Sequence, residues 1–143
     1  MSVLIDTSVS VDHFRSNNKA LVYLMVLDLA LAHPMVIGEI ACGTSPSPRI
    51  QTLSSFGMLQ PCNQAGLSEI MDFIEREKLY GLGCGWVDMT LLASTLITPG
   101  AQLWTLDRRL AQLAERFEVA YRPALVIPKK PRPSRSVLAL SRA

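Results

Sequence analysis

The segment VLIDTS, residues 3–8, decides the fold class, because it joins an apolar strand directly to the start of a helix. Its first three residues form an apolar run without polar alternation, which is typical of a strand buried on both faces. Its last three residues carry side chains that cap helices, so a helix is predicted over about residues 9–15. The chain therefore opens as a strand followed by a helix.

The same alternation continues along the chain. The sequence predicts further strands at 29–32, 103–106 and 119–121, and helices at 21–27, 34–41, 50–58, 67–74, 86–97 and 108–117. Strands that alternate with helices form parallel sheets with helices on both faces. The predicted fold is a three-layer α/β/α domain around a central parallel sheet.

Composition fits one folded domain. The chain has 143 residues, 49% of them hydrophobic and 18% charged, which excludes disorder throughout. Its net charge of +2 is unevenly spread, because residues 1–118 carry −4 and residues 119–143 carry +6. We place the folded domain at 1–128 and a basic, proline-rich tail at 129–143.

The sequence also predicts a soluble, cytoplasmic protein with no membrane contact. No signal peptide opens the chain, and the most apolar run, residues 20–32, contains Asp28 and is too short to span a bilayer. The 3 cysteines are too few for a disulfide framework and are expected to be reduced.

Two carboxylates follow predicted strands directly. Asp6 ends the first strand and Asp107 follows the strand at 103–106. In open parallel sheets the ligand crevice lies outside the carboxyl ends of the strands, so both side chains are placed where a site would form. Each could equally serve as the cap of the helix that follows it.

Two further acids lie in apolar helices. Asp88 has no lysine or arginine near it in sequence, and a buried, unpaired carboxylate is costly unless it binds a cation. Its alternative role is that of a first-turn acid favoured by the helix dipole. Glu39 is the only charge in its helix and follows Gly38, which suggests either the close approach of another group or a tight helix contact.

The 4 acids together predict a metal site, because crowded carboxylates cannot all stay ionised without a cation. A set of oxygen ligands without histidine or cysteine favours Mg²⁺ or Mn²⁺ over zinc. Hydrolysis of a phosphodiester is the chemistry that suits such a site best.

Four segments carry a family resemblance: LIDTSVSVDHF from residue 4, HPMVIGEIA at 33–41, GLGCGWVDMTLLAS at 81–94 and LWTLDRRL at 103–110. With these segments the chain resembles the PIN-domain ribonucleases and, more closely, the VapC toxins of bacterial toxin–antitoxin pairs, over residues 1 to about 124. The resemblance implies a metal-dependent endoribonuclease that cleaves tRNA or ribosomal RNA, forms a homodimer and is silenced by a small antitoxin. It assigns Asp6, Glu39, Asp88 and Asp107 to the acidic metal site, with Thr7, Ser8 and Thr105 as supporting hydrogen-bond donors. Position 10 departs from the family pattern, because it is serine where relatives usually have an aromatic residue.

RNA contacts are predicted on basic residues near Asp107 and in the tail. The candidates are Arg108, Arg109, Lys129, Lys130 and Arg132. Two other function classes stay open at this point. One is an inert PIN-like module that binds RNA or protein, and the other is a metal-dependent phosphatase.

Overall fold

The computed structural model describes residues 1–123. The predicted tail at 129–143, with Lys129, Lys130 and Arg132, and the domain boundary at 128 lie outside the described residues. Within residues 1–123 there are 4 strands and 7 helices. They are β1 (Ser2–Ile5), α1 (Thr7–Ser16), α2 (Lys19–Val26), β2 (Ala30–Ala32), α3 (Pro34–Cys42), α4 (Arg49–Gly57), β3 (Gln60–Pro61), α5 (Leu67–Glu77), α6 (Trp86–Leu96), β4 (Ala101–Trp104) and α7 (Arg108–Arg116).

The strands form one parallel sheet in the order β3-β2-β1-β4. In the centre, Leu4 of β1 pairs with Leu31 of β2 and Leu103 of β4. This register brings the carboxyl ends of β1 and β4 side by side. The parallel sheet confirms the predicted α/β fold class.

Helices cover both faces of the sheet, because successive strand residues point to opposite sides. Val3 and Ile5 pack in one hydrophobic cluster with Leu21 and Leu24 of α2. Leu4 packs in a larger cluster on the other face, which includes the fully buried Leu91 and Leu92 of α6, together with buried residues of α3, α5 and α7. The layers are therefore helix, sheet and helix, as predicted.

The two ends of the sheet differ from the sequence prediction. Strand β3 was not predicted, because its two exposed residues carry no apolar run. The strand predicted at 119–121 is wrong as a full strand, since Ala120 forms only an isolated parallel bridge to Leu103. No helix in the described part of the chain is long and apolar enough to cross a membrane.

Candidate active site

Asp6 is the buried centre of a hydrogen-bond network at the end of β1. Its side chain is only 6% exposed and caps α1. Its Oδ2 atom accepts hydrogen bonds from Ser8 Oγ at 2.6 Å and from Thr105 Oγ1 at 2.7 Å. Two hydroxyl groups thus fix the orientation of this carboxylate.

The same hydroxyls tie the end of β4 to the end of β1. Thr105 Oγ1 accepts a hydrogen bond from the backbone N–H of Asp107 at 3.0 Å. Ser8 Oγ accepts one from the backbone N–H of Leu106 at 2.9 Å. The loop that carries Asp107 is therefore positioned by the residues that hold Asp6.

Asp107 is exposed and caps α7. Its Oδ1 atom accepts hydrogen bonds from the backbone N–H groups of Arg109 at 2.9 Å and Leu110 at 3.1 Å. The cap role that the sequence left open is thus real for both Asp6 and Asp107.

Asp88 is half-buried in the first turn of α6, and its Oδ2 atom accepts a hydrogen bond from the backbone N–H of Gly85 at 3.2 Å. Burial raises the pKa of the Asp88 carboxyl, and the negative charges of Asp6, Asp107 and Glu39 raise it further, while the Gly85 hydrogen bond opposes the shift. The other three acids therefore all lie within electrostatic reach of Asp88.

Glu39 differs from the expectation of a buried position. It is exposed, because α3 turns only the side with Val36 and Ile40 into the core. Thr7 Oγ1 donates a hydrogen bond to Glu39 Oε1 and so links α1 to α3. Neither the close approach nor the tight helix contact suggested at Gly38 is found among residues 1–123, since a Cβ there would meet no described atom within 4 Å.

Each of the 4 acids uses one carboxylate oxygen for contacts with the protein. Asp6 and Asp88 use Oδ2, Asp107 uses Oδ1 and Glu39 uses Oε1. No residue among 1–123 donates a hydrogen bond to the second oxygen of any of them. These contacts therefore leave one oxygen of each acid available to a ligand.

The donor set fits a hard, hydrated cation. Only oxygen atoms are offered, and the buried Asp6 carboxylate forms no ion pair within the described part of the chain. In the same part of the chain, no three His, Cys, Asp or Glu side chains could hold one metal ion together. The acids thus affect one another through their charges although too few of them are close enough for direct coordination. Both findings agree with an ion that keeps much of its water. Mg²⁺ usually keeps several waters and takes only one or two carboxylates.

Two of the predicted RNA-binding residues lie beside the acids. Arg108 and Arg109 are exposed in the first turn of α7, directly after Asp107. The Arg109 side chain lies against Gly83 in the loop before α6. Sequence reasoning missed this contact, because the glycines at 81, 83 and 85 indicate only a break in the chain.

An open cavity of about 450 Å³ lies between α1 and α3, next to Glu39. Thr7 and Glu39 line it, together with Phe14, Arg15 and the segment 43–46. Of the 4 acids, Glu39 alone borders this recess.

The chain is similar to proteins named Ribonuclease VapC32 from two strains of Mycobacterium tuberculosis, CDC 1551 / Oshkosh and ATCC 25618 / H37Rv. Each is 39% identical to it over 118 residues, which cover 82% of this chain and 94% of the relative. No family model matches the chain.

Proposed function

This chain belongs to the VapC family of PIN-domain toxins, and on that premise we propose that it is an Mg²⁺-dependent endoribonuclease that cleaves structured RNA, either tRNA or ribosomal RNA. The relatives named ribonuclease match this chain over 94% of their own length. A nuclease that acts as a toxin requires a cognate antitoxin, so RNA and a small inhibitory protein are the partners of this chain.

The observation that carries the proposal is that each of the 4 carboxylates contacts the protein through only one of its two oxygens. Each has one oxygen held by the protein and a second oxygen without a donor among residues 1–123. One or two of Asp6, Asp88, Asp107 and Glu39 would hold the cation directly through a second oxygen, and the others would act through its bound waters. Mn²⁺ has similar ligand preferences and could replace Mg²⁺.

The residues around the acids have a positioning role. Ser8 and Thr105 keep Asp6 from rotating, and Thr7 restrains Glu39. When bound, the cation supplies positive charge that makes water a better nucleophile and stabilises charge on the leaving oxygen. Without it, the negative charges repel an RNA backbone, so substrate binding depends on basic groups at the edge of the site.

Cleavage of total tRNA and of ribosomal RNA by the purified protein, with Mg²⁺ or with chelator, tests the proposal. We expect cleavage only with Mg²⁺, and none from an Asp6→Asn variant, which keeps the size of the side chain and can still accept from Ser8 and Thr105. Asp72→Asn, on the exposed face of α5, is the matched control and should cleave like the unsubstituted protein.

Three results would count against the proposal. Cleavage that is equal in chelator would exclude the metal. RNA binding without cleavage under any divalent cation would favour an inert binding module. Hydrolysis of a small phosphate ester with no cleavage of folded RNA would favour a phosphatase. Light scattering of the purified toxin tests the homodimer that we expect for this family.

A further inference from the structure

Gly83 occupies a position where any side chain would displace Arg109. Its φ angle is +85°, in the left-handed region that favours glycine, and the φ angle of Gly81 is +74°. A Cβ atom placed there would lie 2.7 Å from Arg109 Nη1 and 2.8 Å from Arg109 Cδ. The side chain of Arg109 therefore lies across the backbone of this loop, in space that only glycine leaves open.

This contact places the Arg109 side chain at the loop before α6, the helix whose first turn carries Asp88. The backbone N–H of Arg109 is bonded to Asp107, at the edge of the site. Cys84, the residue after Gly83, lies within electrostatic reach of Asp88, Asp107 and Arg109 together. The positive charge of Arg109 thus lies at the loop 81–85, beside the helix that carries Asp88.

The guanidinium of Arg109 has no protein partner among residues 1–123. It forms no hydrogen bond with a described acceptor and no ion pair with a described acid. Arg76, Arg116 and Arg122 pair with glutamates and Arg49 bonds to backbone carbonyls, whereas Arg15 and Arg108, like Arg109, have no partner among the described residues. A planar fork of unused N–H donors beside an acidic site is suited to a phosphate, which it can bind through two hydrogen bonds.

We propose that Gly83 is a positioning residue that lets Arg109 lie across the loop, and that Arg109 binds a backbone phosphate of the RNA next to the 4 acids. The proposal rests on the ribonuclease function above and adds the group that holds the substrate. The folded body carries net −4 over residues 1–118, so a fixed cation at this place offsets the repulsion that an RNA strand meets there. A contact to a backbone phosphate carries no sequence information, so it is independent of the base sequence.

Gly81 provides a matched control for Gly83. Its φ of +74° is also left-handed, but a Cβ there would meet nothing within 4 Å. Gly81→Ala and Gly83→Ala therefore carry similar backbone strain, whereas only Gly83→Ala displaces Arg109. The displaced group is a flexible side chain at the surface, so the fold should survive in both variants.

The experiment measures the affinity of the full chain for a fluorescein-labelled single-stranded RNA by anisotropy, in chelator, between 50 and 200 mM salt. We expect Arg109→Ala and Gly83→Ala to weaken binding by roughly threefold to tenfold at the lowest salt. The slope of log affinity against log salt should fall by roughly 0.7, so the loss shrinks by about 2.6-fold over this salt range. Gly81→Ala and Arg76→Ala should keep the slope of the unsubstituted protein.

The double variant Gly83→Ala/Arg109→Ala shows whether Gly83 acts through Arg109. If it does, the double variant binds RNA as weakly as Arg109→Ala alone and no more weakly. Equal slopes for Gly83→Ala and Gly81→Ala, an unchanged slope for Arg109→Ala, or no RNA binding by the unsubstituted protein would each overturn the proposal. A cleavage assay with Mg²⁺ distinguishes the phosphate contact from the proposed nuclease function. If the protein cleaves RNA but Arg109→Ala keeps the salt slope of RNA affinity, only the phosphate contact is refuted. An RNA-binding protein that never cleaves refutes only the nuclease.

Discussion

Replacing Thr105 by valine removes the hydroxyl that joins Asp6 to Asp107 while keeping the shape of the side chain. Thr105 is 9% exposed, and its Oγ1 donates to Asp6 Oδ2 at 2.7 Å and accepts from the backbone N–H of Asp107 at 3.0 Å. A hydrogen bond to a charged group contributes about 1.5–3 kcal/mol, and a buried N–H left without a partner costs about 1–3 kcal/mol. Asp107 is exposed, so water can replace much of the second contact. We therefore expect Thr105→Val to lower the free energy of unfolding by about 2–3 kcal/mol.

For a chain of this size a loss of that magnitude lowers the Tm by roughly 8–12 °C, which a calorimetric or fluorescence melt in chelator resolves. Thr105→Ser is the control, because it keeps the hydroxyl and loses only a methyl group, at a cost of about 1 kcal/mol. Asp6 is also less firmly held in Thr105→Val, so the Mg²⁺ concentration for half-maximal cleavage should rise by about tenfold. A Thr105→Val protein as stable as Thr105→Ser, with the same Mg²⁺ requirement, would refute the role given to this network.

Three further outcomes follow from charge. Burial and the neighbouring acids raise the pKa of the Asp88 carboxyl, so its ionised form destabilises the folded state. In chelator at pH 7, Asp88→Asn should therefore melt at the same or a higher temperature than the unsubstituted protein. This difference in melting temperature should disappear as the pH falls below the ordinary pKa of an aspartate. A large loss of stability of Asp88→Asn at pH 7 would mean that Asp88 acts mainly as a helix cap. Deleting residues 129–143 should reduce the salt slope of RNA affinity by roughly 0.7 per lost phosphate contact and leave cleavage at saturating RNA intact, whereas identical binding would show that these residues are inert. Co-expression with the neighbouring gene should yield a complex with a small antitoxin whose arginine covers the acids, and purification of an active toxin with no such partner would contradict this.

The sequence predicted the places of three acids in the fold from local signals. An apolar run followed by a capping residue located Asp6 and Asp107 beyond the ends of two strands, and the structure shows that these strands are neighbours. The sequence also placed Asp88 in the first turn of a buried helix. Parallel pairing then brings these ends together without any further information from the sequence.

The remaining features depend on tertiary structure. Glu39 was expected in a buried helix but is exposed, because the apolar composition of α3 does not tell which side faces the core. Strand β3 has two residues and exists only through its pairing with β2. The contact between Gly83 and Arg109 joins two loops that are distant in sequence, and it depends on a backbone angle that composition does not encode.

The contacts of one oxygen of each aspartate explain how the domain can fold around so much negative charge. Asp6 and Asp107 cap helices and Asp88 lies in a first helical turn, so all three sit at the positive ends of helix dipoles and accept backbone N–H groups there. These interactions are local and form with the helices themselves, so they oppose the mutual repulsion before any cation binds. A site built in this way differs from a structural metal centre, in which the ion supplies the free energy of folding. Chelator should therefore abolish cleavage and leave the fold in place, because the oxygens that stabilise the helices are not the oxygens left for the metal.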